Sequence, residues 1–178
     1  MCGLVTIVLP PSQFVQVPIL HAMADALAHR GPDGFGYAAV EPASGKVQQW
    51  VNEQPEVSLG GVLFGHRRLS IIDLTRCGHQ PMVSDDGNHV LAYNGEIYNF
   101  VELRAELAQL GHRFHGRSDT EVLLKAYEEW GTAAFNRFNG MFAFTLWDGR
   151  RKVLLAVRDR FGVKPLYVAQ VDGAYIRL

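Results

Sequence analysis

The chain opens with residues 1–9, which read Met-Cys-Gly-Leu-Val-Thr-Ile-Val-Leu. From Gly3 onward this run is apolar and rich in β-branched residues, which is typical of a buried strand. Pro10 and Pro11 follow it, and proline ends a strand because it cannot donate a hydrogen bond to a sheet. The sequence therefore predicts a buried N-terminal strand with Cys2 immediately before it.

Helical spacing and capping patterns predict three helices in the rest of the chain. Apolar residues at helical spacing favour a helix over residues 17–29. Two capping-box patterns predict two more helices, and they consist of Asn99 with Glu102 and of Ser118 with Glu121. These two helices should end at Gly111 and at Gly131.

Short apolar runs between turn signals predict a strand-rich chain. The predicted strands cover residues 35–40, 46–51, 61–65, 89–93, 141–147, 153–157, 166–170 and 174–178. The predicted turns are Asp86-Gly87, Asn94-Gly95, Asp148-Gly149 and Asp172-Gly173. Because strands and helices fall in separate runs, the pattern indicates a layered α+β fold rather than strict βαβ alternation.

Composition and charge exclude several classes of function. The chain has 178 residues, 48% of them hydrophobic, and a formal net charge of −1, which suits one domain with a sizeable core. Nucleic-acid binding would need a basic surplus, and a membrane helix would need roughly 20 consecutive apolar residues. We therefore expect no nucleic-acid partner and no membrane association. With two cysteines, Cys2 and Cys77, and no secretion signal, we expect free thiols in a reducing cytoplasm.

Cys2 is a candidate nucleophile because of its position. Removal of Met1 would leave a thiol and a free α-amine on the same residue. An α-amine has a pKa of about 7.7–8.0, so it can act as a base near neutral pH and activate its own side chain. The alternative is that Cys2 is a small core residue at the start of a strand.

Other polar residues form candidate binding groups. Asn94 and the Gly95 N–H, in a predicted turn, would supply two donors for an oxyanion, although Asn-Gly turns are also common without any function. Arg68 lies among apolar residues and would bind a carboxylate, or form a structural salt bridge. Asp119 at a helix start would bind an ammonium group, or only favour the helix dipole.

Several segments together carry a family resemblance, from Met1 to about Tyr167. They are Met1-Cys2-Gly3, Arg30-Gly31-Pro32-Asp33-Gly34, residues 65–73, residues 78–82, residues 93–99, Arg117-Ser118-Asp119-Thr120-Glu121, residues 139–144 and residues 158–167. With these segments in this order, the chain resembles the glutaminase domain of class II glutamine amidotransferases, and specifically of glutamine-hydrolysing asparagine synthetases. The resemblance implies a four-layer αββα sandwich of two antiparallel sheets, of the N-terminal-nucleophile hydrolase type, and a cytoplasmic protein.

The resemblance also implies roles for catalytic residues. Cys2 would be the nucleophile and its α-amine the base that moves the proton. Asn94 and the Gly95 N–H would form the oxyanion hole. The implied reaction is hydrolysis of glutamine to glutamate and ammonia, and this half-reaction needs no metal or other cofactor.

A second group of residues would bind the substrate in such a domain. Arg68 would hold the α-carboxylate of glutamine, and Glu96 and Asp119 would hold its α-ammonium group. The backbone around Ile71 and Ile72 would line the pocket. A pair of opposite charges of this kind favours glutamine over a simple amide, since a missing substrate charge leaves a buried group unpaired.

One part of an asparagine synthetase is missing from the sequence. It contains no Ser-Gly-Gly pyrophosphate loop of the synthetase domain, where ATP and Mg²⁺ would bind. We therefore expect a glutaminase domain, 1–178, truncated at its C-terminus, that serves a synthetase domain or a separate synthetase chain, with a homodimer as a further option. The resemblance assigns no role to Cys77, and His66, His79 and His115 lack metal-ligand spacing.

Three functions remain open at this point. The first is an active glutaminase that supplies ammonia to aspartate or to another carboxylate. The second is a module that binds glutamine or docks to a synthetase without turnover. The third is an N-terminal-nucleophile hydrolase that acts on a different amide.

Overall fold

The computed structural model of the protein describes residues 1–11, 13–15, 17–56, 59–171 and 174–177. Within these ranges the strands are β1 (Gly3–Val8), β2 (Phe14–Val15), β3 (Gly34–Val40), β4 (Val47–Val51), β5 (Leu59–Gly60), β6 (Val62–Arg68), β7 (Met82–Val83), β8 (His89–Ile97), β9 (Gly140–Asp148), β10 (Val153–Arg158), β11 (Val168–Val171) and β12 (Ala174–Arg177). The α-helices are α1 (Val17–Asp25), α2 (Phe100–Gln109) and α3 (Asp119–Trp130).

Two antiparallel sheets form the centre of the molecule. The larger sheet has six strands in the order β11-β12-β1-β6-β3-β4, and the smaller has four in the order β10-β9-β8-β7. Strands β2 and β5 pair separately as a two-stranded ribbon. The N-terminal strand β1 is interior in the larger sheet, between β12 and β6, which explains its continuous apolar sequence.

Three hydrophobic clusters separate four layers. One cluster lies between the two sheets and includes Leu4, Phe64 and Trp147. A second lies between α1 and the six-stranded sheet, and a third lies between the four-stranded sheet and helices α2 and α3. Strand β1 contributes to two of them: Leu4 faces the other sheet and Val5 faces α1, as the two-residue period of a strand requires. The layers are therefore helix, sheet, sheet and helices, and the α+β sandwich prediction is confirmed.

The predicted strands are present, and two of them extend by three or more residues beyond their predicted ends. Strand β6 continues to Arg68 and β8 continues to Ile97. The Asp86-Gly87 hairpin is confirmed, with Gly87 at φ +72° and its N–H donating to Ser84 O over 2.9 Å. The Asp148-Gly149 turn is also confirmed, since β9 and β10 pair across residues 149–152. Asp172-Gly173 and Leu178 lie outside the described residues.

Two predictions about turns and helix length are wrong. Asn94-Gly95 is not a turn, because both residues lie inside β8 and pair with β9. The helix predicted over residues 17–29 ends at Asp25, and a short 3₁₀ turn follows at residues 28–30. Beyond Asp25 the backbone hydrogen bonds change to the i→i−3 type, from Leu27 N to Ala24 O and from Arg30 N to Leu27 O, and the chain then reaches β6, where Asp33 N donates to Arg68 O over 2.9 Å.

One capping prediction is confirmed and the other is wrong. Ser118 Oγ accepts a hydrogen bond from Glu121 N over 3.2 Å at the start of α3. Asn99 makes no side-chain cap on α2. Its amide instead bonds to the backbone of a distant segment, donating to Arg137 O and accepting from Asn139 N. In the described part of the chain, no helix is both long and apolar enough to span a membrane.

Candidate active site

A pocket of about 190 Å³ lies where the start of β1, the end of β6, the second half of β8 and the start of α3 meet. All eight site residues that the sequence predicted line this pocket: Cys2, Arg68, Ile71, Ile72, Asn94, Gly95, Glu96 and Asp119. These residues come from four separate parts of the sequence. The structure therefore brings the whole predicted set together around one cavity.

Cys2 lies immediately before β1 at the wall of this pocket. Its Sγ accepts a hydrogen bond from Leu69 N over 3.3 Å. Its carbonyl accepts one from Arg30 Nε over 3.2 Å, which fixes the backbone next to the thiol. Burial raises the pKa of the Cys2 thiol, while the Leu69 N–H and the positive charges of the N-terminus and Arg68 act in the opposite direction. The sulfur is thus held in a defined position, where burial outweighs the neighbouring groups that favour the thiolate.

The Arg30–Gly34 segment supports the chain around Cys2. Gly31 lies against the backbone of Arg67, where a Cβ atom would collide with the carbonyl group. Asp33 Oδ2 accepts a hydrogen bond from Ser70 N over 2.8 Å. This segment therefore fixes the strand end and the loop that carry Arg68 and the Leu69 N–H.

Gly95 is required where β8 passes β9, and not for a turn. A Cβ atom there would lie 2.7 Å from Phe142 Cα. Phe142 directs its own backbone groups to the far side of β9: its N donates to Asp159 Oδ2 over 3.2 Å and its O accepts from Asp159 N over 2.7 Å. Directly opposed antiparallel residues exchange both hydrogen bonds or neither, so the Gly95 N–H points away from β9.

The neighbouring odd-numbered residues of β8 show the same orientation. Tyr93 N donates to Gln80 Oε1 over 2.6 Å, and Ile97 N donates to Asp119 Oδ2 over 3.0 Å. The Gly95 N–H lies between these two donors on the same edge of the strand, at the pocket. Asn94, which is 5% exposed, lines the pocket beside it. Strand geometry thus directs the Gly95 N–H to one wall of the cavity, which Asn94 also lines.

Arg68 ends β6 and is held by the loop that follows. Its Nη1 donates to Thr75 O over 3.2 Å, and its Nη2 donates to Asp73 O. Asp73 in turn binds the loop together, since its Oδ1 accepts from Thr75 N and its Oδ2 accepts from Arg117 N, both over 2.8 Å. These contacts use two of the five N–H donors of a guanidinium group. Arg68 is therefore a buried, oriented cation at the pocket with donors left for an anion.

Asp119 is the first residue of α3 and is 5% exposed. Its Oδ2 accepts two hydrogen bonds, from Tyr93 Oη over 2.7 Å and from Ile97 N over 3.0 Å. Burial raises the pKa of Asp119, and these two hydrogen bonds act to lower it. Glu96 supplies a second carboxylate to the same pocket. The cavity thus combines a cation on one strand end with carboxylates on β8 and α3.

Ile71 and Ile72 lie in the loop after β6. Ile71 is 71% exposed, so its side chain is not a buried part of the pocket wall. The backbone contribution of Ile71 and Ile72 that the resemblance implies stays a prediction.

Several pocket residues were not predicted as site residues, among them Leu69, Tyr93 and Lys164. Leu69 donates its N–H to the cysteine sulfur, Tyr93 binds Asp119, and Lys164 is 6% exposed and lines the cavity. Leu69 and Tyr93 directly adjoin the predicted residues Arg68 and Asn94, which is a signal that could have found them. Lys164 lies in the 158–167 segment, where a lysine among apolar residues is the only signal.

The three histidines singled out in the sequence belong to no cluster with metal-ligand spacing among the described residues. His66 is fully buried and its Nε2 donates to Tyr93 O over 3.0 Å, whereas His115 is exposed and pairs with Asp85. Among the described residues, one cluster has metal-ligand spacing, and it consists of Asp86, His89 and Glu128. Both of its carboxylates already pair with cations of the protein, Asp86 with Arg150 over 2.6 Å and Glu128 with Lys125 over 3.1 Å. Neither Cys2 nor Cys77 forms a disulfide.

A model of the glutamine amidotransferase domain matches residues 1–177. The chain belongs to this glutamine amidotransferase family. The resemblance drawn from the motifs is thereby confirmed. The amidotransferase domain is 37% identical to asparagine synthetase [glutamine-hydrolyzing] 3 of Bacillus subtilis (strain 168), over 99% of this chain and 26% of that protein. It is 40% identical to asparagine synthetase [glutamine-hydrolyzing] 2 of the same organism, over 99% of this chain and 21% of that protein.

A solved structure shows the same fold. Glutamine phosphoribosylpyrophosphate amidotransferase from B. subtilis superposes with a TM-score of 0.78 at 22% identity, over 98% of this chain and 41% of that chain. The similarity supports the layered α+β architecture of the amidotransferase domain. The domain spans about a quarter of the length of the asparagine synthetases that it matches.

Proposed function

We propose that the chain hydrolyses L-glutamine to glutamate and ammonia, with Cys2 as nucleophile. The observation that carries this proposal is the pocket itself, where the Cys2 thiol, an oxyanion-type donor pair, a buried arginine and two carboxylates meet. This set matches the functional groups of a free α-amino acid that ends in a carboxamide. Family membership supports the same reaction.

The reaction begins with the Cys2 thiol. Its proton moves to the α-amine, and the sulfur attacks the carboxamide carbon of glutamine. The Asn94 amide and the Gly95 N–H stabilise the negative charge that develops on the carboxamide oxygen. Each such donor lowers the activation barrier by about 3–4 kcal/mol. The amine returns the proton to the departing nitrogen, ammonia leaves, and water hydrolyses the thioester to glutamate.

Substrate recognition uses the charges at the far side of the pocket. Arg68 binds the α-carboxylate with its remaining donors, and Asp119 and Glu96 bind the α-ammonium. A substrate that lacks either charge would leave a buried partner unpaired, which is why glutamine is preferred over a simple amide. All the groups of this half-reaction belong to the protein, so we expect it to proceed without a metal or organic cofactor.

Removal of Met1 is a condition for this mechanism. Met1 is 54% exposed and lines the pocket, so an aminopeptidase can reach it, and its removal places the α-amine on Cys2. Intact mass measurement reports whether Met1 is absent. If a folded sample retains Met1 and still hydrolyses glutamine, the mechanism with the Cys2 amine as base is wrong.

The central test measures glutamate release from glutamine by the processed chain. Cys2→Ala should abolish it, and Cys77→Ser should not change it, because Cys77 is exposed and outside the pocket. A chloroketone analogue of glutamine should label Cys2 irreversibly and leave Cys77 unlabelled. Glutamine binding in calorimetry without any glutamate from the processed wild type would instead support a binding module. Faster turnover of N-acyl substrates than of glutamine would support a different amide hydrolase.

The use of the ammonia concerns a longer assembly. The two relatives described above are named as glutamine-hydrolysing asparagine synthetases. We therefore propose that the ammonia is used by a synthetase domain or partner chain that amidates aspartate. ATP and Mg²⁺ would belong to that domain. We further expect a cytoplasmic protein, and a homodimer is the simplest assembly to test for by light scattering. Formation of asparagine from aspartate and the ammonia that this chain releases, after addition of the synthetase, would test whether aspartate is the acceptor.

A further inference from the structure

Tyr93 is a pocket residue whose side chain is hydrogen-bonded to Asp119. Its hydroxyl group donates to Asp119 Oδ2 over 2.7 Å, and its side chain is 2% exposed. Its backbone is fixed from two directions, since its N donates to Gln80 Oε1 over 2.6 Å and its O accepts from His66 Nε2 over 3.0 Å. The tyrosine is therefore a rigid donor to the carboxylate.

The two donors that β8 supplies to Asp119 reach the same oxygen. Ile97 N donates to Oδ2 over 3.0 Å, as the Tyr93 hydroxyl does, and the backbone N–H groups at Asp119 and Thr120 also act to lower the pKa of this carboxyl group. One N–H alone leaves a carboxylate free to rotate about its Cβ–Cγ bond, because either oxygen can accept it. A second donor on Oδ2 fixes the plane of the carboxylate, and Oδ1, with two lone pairs of its own, can accept from a donor in the pocket.

We propose that Tyr93 is a positioning residue that presents Asp119 Oδ1 to the α-ammonium of the substrate and so sets the requirement for a free α-amino group. This role rests on the proposed glutaminase function and refines it. Tyr93 itself touches no reacting atom in this account. It acts through Asp119, and its removal should weaken recognition of the ammonium group and leave the chemical step intact.

The hydroxyl of Tyr93 suits this role at every working pH. Burial and the negative charge of Asp119 raise the pKa of Tyr93 well above the ordinary range, so the group remains a protonated donor. The ring has a second, structural role, because it packs in the cluster between the four-stranded sheet and helices α2 and α3. Phenylalanine preserves this packing and removes only the donor, so it separates the two roles.

The test compares Tyr93→Phe with wild type on two substrates. One is L-glutamine, and the other is 4-carbamoylbutanoate, which is glutamine without its α-amino group. For glutamine we expect kcat/KM to fall roughly 10- to 100-fold, mainly through a higher KM, since a hydrogen bond to a charged group has about this effect on binding. For 4-carbamoylbutanoate we expect kcat/KM to change less than about threefold, because Oδ1 has no ammonium to bind.

Tyr37→Phe is the matched control. Tyr37 is also buried, and its hydroxyl group has no hydrogen-bond partner among the described residues. It packs between α1 and the six-stranded sheet, so its loss should leave both substrates unaffected. Urea unfolding of both variants reports any general loss of stability.

Two results would overturn the proposal. One is an equal fall for both substrates in Tyr93→Phe, which would mean a general structural role. The other is unchanged kinetics on glutamine. If the wild type releases no glutamate, the proposed function is wrong, and the role of Tyr93 is then tested separately by calorimetry of glutamine binding. In that case Tyr93→Phe must weaken glutamine binding by about 10-fold or more relative to Tyr37→Phe, or the inference fails as well.

Discussion

Acidification should destabilise this protein through His66, which connects the two sheets. The side chain is completely buried on β6, and its Nε2 donates to Tyr93 O on β8. Among the described residues, its Nδ1 has no hydrogen-bond partner. A protonated imidazole would therefore carry a buried charge and a buried N–H without an acceptor. Burial accordingly lowers the pKa of His66 from 6.5 to about 4.

The size of the effect follows from these two values. Above pH 6.5 the imidazole is neutral in both the folded and the unfolded chain and has no influence on stability. As the pH falls below 6.5, the unfolded chain takes up a proton that the folded chain refuses, so stability is lost. With a pKa of about 4 in the folded state, the loss is about 2 kcal/mol at pH 5 and approaches roughly 3 kcal/mol below pH 4.

The assay is urea unfolding of wild type and His66→Gln between pH 7.5 and 5. Glutamine can still donate to Tyr93 O but does not titrate, so the difference between the two free energies of unfolding isolates the histidine. That difference should change by about 2 kcal/mol over this range in favour of the variant at low pH. Parallel curves would refute the reasoning, as would an NMR titration that places the His66 pKa near 6.5. The NMR measurement uses the wild type and stands even if the variant folds poorly.

Three further predictions concern single residues. Gly95→Ala should lower the free energy of unfolding by about 1–3 kcal/mol and abolish glutamate release. Gly65→Ala is the control, since its Cβ would meet ordinary contacts at 3.4–3.6 Å, and it should have a much smaller effect on stability and on glutamate release. Ser118→Ala should cost about 0.5–2 kcal/mol in urea unfolding through loss of the α3 cap, and no loss would contradict that role. In protein that retains Met1, iodoacetamide at pH 7 should modify Cys77 faster than Cys2, because burial raises the pKa of the Cys2 thiol. Faster modification of Cys2 would contradict this prediction.

Local pattern was sufficient for most elements of the fold. The apolar run in β1, the Asp86-Gly87 hairpin and the Ser118 cap depend on neighbours a few residues away, so the sequence predicts them correctly. Asn99 matches the same capping pattern and fails, because Asn139 and the Arg137 carbonyl, about 40 residues away, bind its amide. A capping pattern cannot include a competitor from a distant segment.

Asn94-Gly95 shows the same limit at the site. The dipeptide is a turn signal by local rules, yet it lies within β8, where the glycine is needed because the backbone of β9 passes too close for a side chain. The Gly95 N–H points away from β9 because the backbone N–H and C=O of Phe142, the residue opposite, are hydrogen-bonded to Asp159. None of these partners is near Gly95 in the sequence.

The sequence by itself determined which groups this protein brings to the pocket: the Cys2 thiol, an arginine, an Asn-Gly pair and two carboxylates, in the order typical of one family. Only the tertiary structure decided how they are oriented. It places the Leu69 N–H on the sulfur and the two β8 donors of Asp119 on one oxygen. The physical reason is that residue type fixes the chemistry of a group, whereas its direction and protonation depend on burial and on partners that folding brings from distant strands.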